Sequence, residues 1–185
     1  MLKRSLKVDT QVYLRIGKDK LPIKNKFIRA AAYQAVRVID IELDIMYQLY
    51  KRELYQRLFS VEVSIVNDNI IQQLNNKFRH IDTPTDVLSF PAWEGCSNPA
   101  IYPDVPLHLG EIVISLDTAL RQSQEDQVSL KHMVAWLIAH SMLHLIGLDH
   151  PDEKARQVMR HYELKILKAI GFTKLPTMAE EVYHD

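Results

Sequence analysis

The segment from residue 140 to residue 150 constrains what this chain can fold into more than any other part of the sequence. His140 and His144 stand one turn apart and are offset by only about 40° around a helix, so their imidazoles lie on one side of it. On a continuing helix, His150 would point about 240° away, to the wrong face. Gly147 allows the chain to reverse first, because glycine adopts left-handed backbone angles without a Cβ clash. The segment therefore predicts a helix, a glycine turn and a third histidine that joins the first two.

Three histidines at this spacing indicate a metal site. Three neutral imidazoles can bind one divalent ion and leave a position open for water or substrate, which is the arrangement of catalytic zinc sites. Zn²⁺ suits these ligands best, although imidazole also binds Ni²⁺, Cu²⁺ or Fe²⁺. The sequence therefore predicts one zinc ion held by His140, His144 and His150. His132 has no partners at such spacing, and we interpret it as a core or boundary residue.

The spacing His-x-x-x-His-x-x-Gly-x-x-His is shared with metzincin proteases, which introduces a second class of function. Those enzymes carry a glutamate directly after the first histidine, as the general base of the reaction. Here that position is Ser141, and a serine hydroxyl at its ordinary pKa cannot accept the proton. A zinc protease or another metallohydrolase therefore stays as an alternative that lacks its base.

Hydrophobic patterning in the rest of the chain predicts strands first and helices later, which is typical of an α+β domain. The predicted strands are residues 9–16, 61–66, 87–90 and 111–115. The predicted helices are most of residues 24–59, a helix capped by Asn67 or Asp68 that reaches about Phe78, a short helix capped by Asp117, and the segments 128–146 and 152–170. Residues 39–45 alternate strictly and fit either a helix or a strand. Four prolines and a glycine predict a loop over residues 91–107.

Length and composition limit the class of protein. We expect residues 1–185 to form a single domain with a sizeable core. A content of 47% hydrophobic and 25% charged residues excludes disordered and low-complexity classes. The single cysteine, Cys96, excludes an intrachain disulfide and fits a reducing compartment such as the cytoplasm. We expect no membrane span, because no apolar run is long enough, and no secretory signal.

Charge is balanced over the whole chain, with 23 basic and 23 acidic residues, but it is uneven along it. Residues 1–30 contain nine basic residues and only two acidic ones, Asp9 and Asp19, which is a net charge of +7. A basic segment on a neutral protein could contact a polyanion, or it could be an ordinary solvated surface. The sequence leaves both interpretations open.

The histidine segment resembles the signature of the endoribonuclease family associated with bacterial ribosomal RNA maturation, commonly called YbeY. The family pattern reads His-Gly-x-Leu-His-Leu-x-Gly-Tyr-Asp-His. The matching positions are His140, Leu143, His144, Leu145, Gly147, Asp149 and His150. Ser141 and Leu148 replace the family's glycine and aromatic residue, and neither is a predicted metal ligand.

Two further segments are similar to motifs of the same family. One consists of Asn75, the pair Phe78-Arg79 and the run Pro-Thr-Asp-Val-Leu-Ser-Phe-Pro over residues 84–91. The other is Gly-Glu-Ile-Val-Ile-Ser over residues 110–115, in which Glu111 replaces the usual aspartate. The three motifs occur in the family's order. The resemblance covers residues 61 to about 170, and the basic part over residues 1–60 is less diagnostic.

The resemblance implies a fold, an activity and a set of partners. The fold is a small mixed four-stranded sheet flanked by helices, with zinc at His140, His144 and His150. The activity is that of a single-strand-specific endoribonuclease in ribosomal RNA maturation, at the 3′ end of the small-subunit RNA, and in ribosome quality control. The implied partners are single-stranded ribosomal RNA and the ribosome or its small-subunit proteins, in the cytoplasm.

The resemblance also singles out Arg79, which matches a family arginine regarded as functionally important. A guanidinium offers two parallel, permanently charged donors that match a phosphate, and it would stabilise the charge that develops when a phosphodiester is attacked. The alternative is a surface arginine that caps the following turn or pairs with Asp82 or Asp86. By contrast, Thr85, Asp86 and Ser89 fit structural roles better.

Two carboxylates could support the metal site, and the metal itself could be structural rather than catalytic. Glu111 or Asp149 could orient a ligand histidine, as carboxylates often do beside metals. The chain could also be a ribosome-associated binding protein with a purely structural metal. Cys96 would then supply a fourth ligand, although structural zinc sites are usually rich in cysteine.

Overall fold

In the described part of the chain, four strands form one mixed sheet and five helices accompany it. This computed structural model describes residues 7–16, 22–43, 56–93 and 105–177. The strands are β1 (Lys7–Ile16), β2 (Gln56–Val66), β3 (Val87–Pro91) and β4 (Leu107–Ser115). The helices are α1 (Asn25–Leu43), α2 (Asp68–Arg79), α3 (Leu116–Glu125), α4 (Leu130–Leu145) and α5 (Glu153–Ile170). The predicted α+β class with a four-stranded mixed sheet is confirmed.

The strand order β1-β2-β4-β3 places the shortest strand at one edge. β1, β2 and β4 pair in parallel, and β3 runs antiparallel along β4. Parallel neighbours need long crossover connections, and α1 provides the one between β1 and β2. Both β3 and β4 pack against α4, the helix that carries the first two histidines.

Different helices cover the two faces of the sheet. On one face the strands pack with α1 and α4, and α5 joins the same core by packing on both helices. The strand residues in this core are Phe59, Val61, Val63, Ile65, Leu107, Leu109, Ile112 and Ile114. On the other face Leu88 and Val113 pack with Ile71 of α2 in a smaller cluster. Because neighbouring residues of a strand point to opposite faces, α2 and α4 lie on opposite sides of the sheet.

A bulge in β4 decides which of its side chains face α4. Between Ser60 and Glu62, β2 advances two residues while β4 advances three, from His108 to Glu111. An extra residue shifts the alternation of a strand by one position. The core-facing residues therefore change from the odd-numbered Leu107 and Leu109 to the even-numbered Ile112 and Ile114.

Gly110 lies in this bulge, where the chain has no room for a side chain. Its φ is +138°, and a Cβ there would lie 2.2 Å from the Phe90 carbonyl oxygen and 3.0 Å from Leu145 Cδ2. Glycine alone tolerates both the backbone angle and the close approach. The ends of β3 and α4 consequently meet at Gly110.

The residues at which the helices begin agree with the sequence prediction except at α3, where a different residue is the cap. The side chain of Asn67 accepts the Ile70 N–H at 3.0 Å and caps α2, and Asp152 caps α5 in the same way. The prediction that Asp117 caps the short helix α3 is wrong, because the cap is Ser115. Asp117 lies in the first turn instead, where its carboxylate accepts the backbone N–H of Asp68.

The alternating segment is helical as far as it is described. Buried residues at helical spacing run along α1, namely Ile28, Ala31, Ala32, Ala35, Val36 and Ile39. This stripe packs on the sheet and continues the helix to Leu43 despite the local alternation. Residues 44–55, and residues 94–104 of the predicted loop with Cys96, lie outside the described residues. Within the described part, no helix combines the length and apolarity that a membrane crossing requires.

Candidate metal centre

α4 is an interior helix that carries His140 and His144 in its last turns. The Ser129 side chain caps its start by accepting the His132 N–H, and every residue from His132 to Leu143 is buried. A helix that is apolar all round is stable only inside a protein, and α4 packs against three helices and two strands. His140 is buried, and His144 follows one turn later with a side chain that is 24% exposed. The pair therefore lies where α4 leaves the core.

The glycine turn that the sequence predicts is present and returns the chain toward the helix. Gly147 has a φ of +87°. Its N–H bonds to the His144 carbonyl at 2.9 Å, and the Leu148 N–H bonds to the Leu143 carbonyl at 3.0 Å. This pair of bonds is the Schellman motif, in which a left-handed residue ends a helix. The reversal brings His150 back to the end of α4.

The three predicted ligands lie together. Nε2 of His140 and Nε2 of His144 are 3.1 Å apart, and one nitrogen from each of the three rings lies within 4.8 Å of the others. Two nitrogens on one tetrahedral zinc, at about 2.0–2.1 Å from the ion, are about 3.3 Å apart. The three imidazoles could therefore hold one metal ion, and the spacing of the first two is close to what zinc requires.

The environment of His144 and His150 favours the uncharged form of both rings. Burial, followed by the proximity of His140 and His150, lowers the pKa of His144 from 6.5 to about 4. Asp149 and a backbone hydrogen bond with Leu148 act in the opposite direction and are outweighed. Burial and the proximity of His140 also lower the pKa of His150. Metal ligation requires neutral imidazole, so both pKa shifts favour the form of the ring that binds a metal.

The carboxylate that touches the triad from the core is Glu163, which the sequence analysis missed. Glu163 lies on α5 with no exposed surface, and its Oε1 is 2.7 Å from His140 Nδ1. A signal for it exists in the sequence, because the buried residues of α5 include Met159, Glu163, Ile166 and Leu167. A glutamate in the apolar stripe of an amphipathic helix indicates a buried partner.

Glu111 does not have the role suggested for it. After the bulge, Ile112 and Ile114 face the core that contains α4, so Glu111 lies on the opposite face and is exposed. Asp149 stays near the site: its Oδ1 accepts the His150 N–H at 2.8 Å and lies 4.0 Å from His144 Nδ1. Asp149 thus supports the turn, whereas it faces His144 without reaching hydrogen-bond distance.

Arg79 is the last residue of α2 and is exposed. Within the described residues it forms no ion pair with Asp82 or Asp86, the partners that a structural interpretation requires. Its neighbour Phe78 contacts Phe90 of β3, with ring centroids 5.1 Å apart. Phe90 in turn lies against Gly110, where β3 approaches the end of α4. The end of α2 that carries Arg79 is therefore linked, through Phe78 and Phe90, to the strand that approaches the end of α4.

The start of α2 is fixed by a network around Asp68. Its carboxylate accepts hydrogen bonds from Ser115, from Thr118 at 2.7 Å and from Arg121 at 2.8 Å. Burial opposes ionisation, but these bonds and the charge of Arg121 together lower the pKa of Asp68. Asp86 is used in a similar structural way, because its carboxylate accepts the Val87 N–H at 2.7 Å and a Gln122 amide N–H at 3.1 Å.

His132 is a core residue, as expected. Its ring is buried, stacks on Phe172 at 4.4 Å between centroids, and donates Nε2–H to the Lys174 carbonyl at 2.9 Å. Burial lowers its pKa, which favours the neutral ring. Packing and this hydrogen bond therefore account for His132, which takes no part in the triad.

The chain is similar in sequence to one family over most of its length. Residues 23–171 match a family model described as Endoribonuclease YbeY. A protein of that name from Caldicellulosiruptor bescii is 33% identical over 169 residues, which cover 89% of this chain and 99% of the relative. A namesake from Heliobacterium modesticaldum is 45% identical over 123 residues, 63% of this chain and 74% of the relative. A third protein of that name, from Picosynechococcus, is 46% identical over 95 residues, which cover 51% of this chain and 58% of the relative.

Proposed function

Because the chain belongs to the YbeY endoribonuclease family, we propose that it is a zinc-dependent, single-strand-specific endoribonuclease of ribosomal RNA maturation. Its substrate is the 3′ end of the small-subunit RNA, and the same cleavage serves ribosome quality control in the cytoplasm. The observation that supports zinc dependence is the convergence of His140, His144 and His150 on one point. Neutral imidazoles with this spacing suit Zn²⁺ better than they suit a hard cation such as Mg²⁺.

The described residues support a division of roles. His140, His144 and His150 would hold the ion, which when bound supplies a Lewis acid for the phosphate and lowers the pKa of a water. Arg79 would bind the nonbridging oxygens of the scissile phosphate through two parallel N–H donors. Its exposure and its freedom from the expected acidic partners leave the guanidinium available to substrate.

The protease alternative finds no support at the site. Ser141, at the position of the protease glutamate, has no exposed surface and cannot reach a substrate. Among the described residues, the carboxylates of Glu163 and Asp149 lie near the triad, and both face Nδ1 atoms. They therefore approach the backs of the ligand rings, where neither could act as base for a water on the opposite side.

A neutral protein holds RNA weakly unless another molecule contributes. Nucleic-acid-binding domains are usually strongly basic, whereas this chain has no net charge. We therefore propose that the substrate is presented by the ribosome or by small-subunit proteins. Affinity for free RNA is expected to be low even where cleavage is specific.

The proposed function is tested by metal analysis followed by cleavage assays on the full chain. One equivalent of zinc is expected, together with cleavage of a single strand carrying the small-subunit RNA 3′ sequence. Activity should disappear with a chelator and return with zinc. A duplex of the same sequence and an unstructured protein serve as control substrates. Equal cleavage of the duplex, or digestion of the protein substrate, would contradict the proposal.

The basic segment gives a separate prediction. If residues 1–30 contact RNA, replacing Lys3, Arg4 and Lys7 with glutamine should reduce the steepness of log Kd against log salt concentration. The expected reduction is about 0.7 per lost phosphate contact with a single strand. The measurement is RNA binding at several salt concentrations, and the matched control replaces the exposed Lys154, Lys168 and Lys174. Equal slopes for wild type and the first variant would indicate a solvated surface instead.

A further inference from the structure

Glu163 is a buried acid whose position calls for an explanation beyond packing. It has no exposed surface, and its neighbours along the buried side of α5 are the apolar Met159, Ile166 and Leu167. Carboxylates are rarely buried this completely unless a specific partner compensates for the lost hydration. The contact between Glu163 Oε1 and His140 Nδ1, at 2.7 Å, supplies that partner.

This contact determines which nitrogen of His140 faces the triad with a lone pair. A neutral imidazole carries one N–H, and a hydrogen bond at one nitrogen leaves the other as an acceptor or metal ligand. An ionised carboxylate only accepts, so Nδ1 must carry the proton. The lone pair then lies on Nε2, which is 3.1 Å from Nε2 of His144 and within the triad.

We propose that Glu163 is the positioning residue of the metal centre: it fixes the ring orientation and tautomer of His140 and thereby makes Nε2 a competent ligand. This inference rests on the proposed metal centre and deepens it. Carboxylates bound to the second nitrogen of a ligand histidine raise its basicity and commonly account for 10–100-fold in metal affinity. Glu163 also joins α5 to α4 at this point, so the metal centre depends on a helix that contributes none of the three ligands.

Asp149 provides a matched control within the same site. It faces His144 Nδ1 at 4.0 Å, beyond hydrogen-bond distance, and its side chain is 74% exposed. Water can replace such a contact, whereas nothing replaces a buried one. Asp149→Asn retains an oxygen that can accept the His150 N–H. Its effect on metal affinity is expected to be small.

The test compares zinc affinities of the full-length wild type, Glu163→Gln and Asp149→Asn, by competition with a chromogenic chelator and without RNA. Glutamine keeps the shape but can donate an N–H to Nδ1, which favours the wrong tautomer of His140. The expected result is a 10–100-fold weaker zinc Kd for Glu163→Gln and less than about threefold for Asp149→Asn. Thermal unfolding of the zinc-free proteins separates this effect from a general loss of stability.

Several outcomes would overturn the proposal. A Glu163→Gln protein with wild-type zinc affinity, whatever its melting temperature, assigns Glu163 to packing alone, and the proposed ribonuclease function is untouched by that result. Wild-type protein without zinc affinity overturns the inference together with the metal centre. Zinc binding lost in Glu163→Gln from a wild type that cleaves no RNA supports Glu163 and contradicts the function. If Glu163→Gln does not fold, Glu163→Asp, which keeps the charge on a shorter stem, must show weaker zinc binding than wild type.

Discussion

Replacing His140, His144 or His150 singly with alanine is expected to reduce bound zinc from one equivalent to a small fraction of one. Two imidazoles hold zinc far less well than three, and the described residues place no fourth histidine or cysteine in the group. RNA cleavage should fall by about 10³-fold, because a metal supplies several kcal/mol of stabilisation to the developing charge. Elemental analysis and cleavage assays on one preparation measure both effects.

His161→Ala is the matched control for this experiment. His161 is an exposed histidine of α5 that lies against Tyr162, with ring centroids 5.3 Å apart, and takes no part in the triad. Its replacement should leave zinc content and cleavage unchanged. Full retention of zinc in all three triad variants would contradict the metal centre. Loss of zinc with full retention of cleavage would separate the metal from the reaction.

Arg79→Lys is expected to cleave RNA about 10²-fold more slowly than wild type, or worse. Lysine keeps the charge but loses the two parallel donors that match a phosphate, and one donor to a developing anion is typically worth this factor. Arg79 is exposed at the end of α2 and is not a ligand, so folding and zinc content should be retained. Melting temperature, zinc content and cleavage rate decide the question together.

The control for this variant is Arg37→Lys, which changes an exposed arginine of α1 in the same way. It should cleave at the wild-type rate. A structural Arg79 would instead show itself as a lower melting temperature with an unchanged rate per folded molecule. Full cleavage by a folded Arg79→Ala protein would refute its role at the phosphate.

Structural features that depend only on residues close together in the chain could be predicted from the sequence. His140, His144, Gly147 and His150 form one such feature, because helical periodicity and the left-handed preference of glycine act within a few residues. The caps at Asn67 and Asp152 belong to the same class, since their side chains bond to an N–H three residues later. For these, residue type and spacing specify the geometry before any tertiary contact forms.

Where the local sequence allows more than one cap or more than one secondary structure, tertiary contacts select between them. Asp117 and Ser115 are both good caps for α3, but Asp117 binds the N–H of Asp68 instead. The alternating segment that starts at Ile39 continues α1 because the preceding apolar stripe already packs on the sheet in helical register. Local preference differs little between such alternatives, and burial of the larger surface selects one of them.

By itself, the sequence determined the class of fold, the three histidines and the turn that unites them, because these follow from local periodicity and backbone preferences. Only the tertiary structure decided which carboxylates reach the site. A bulge of one residue turned Glu111 to the opposite face of the sheet, and the packing of α5 on α4 brought Glu163 to His140 from 23 residues away. Contacts of this kind depend on how separate elements pack, and packing depends on the shape of the whole core rather than on any short pattern of residues.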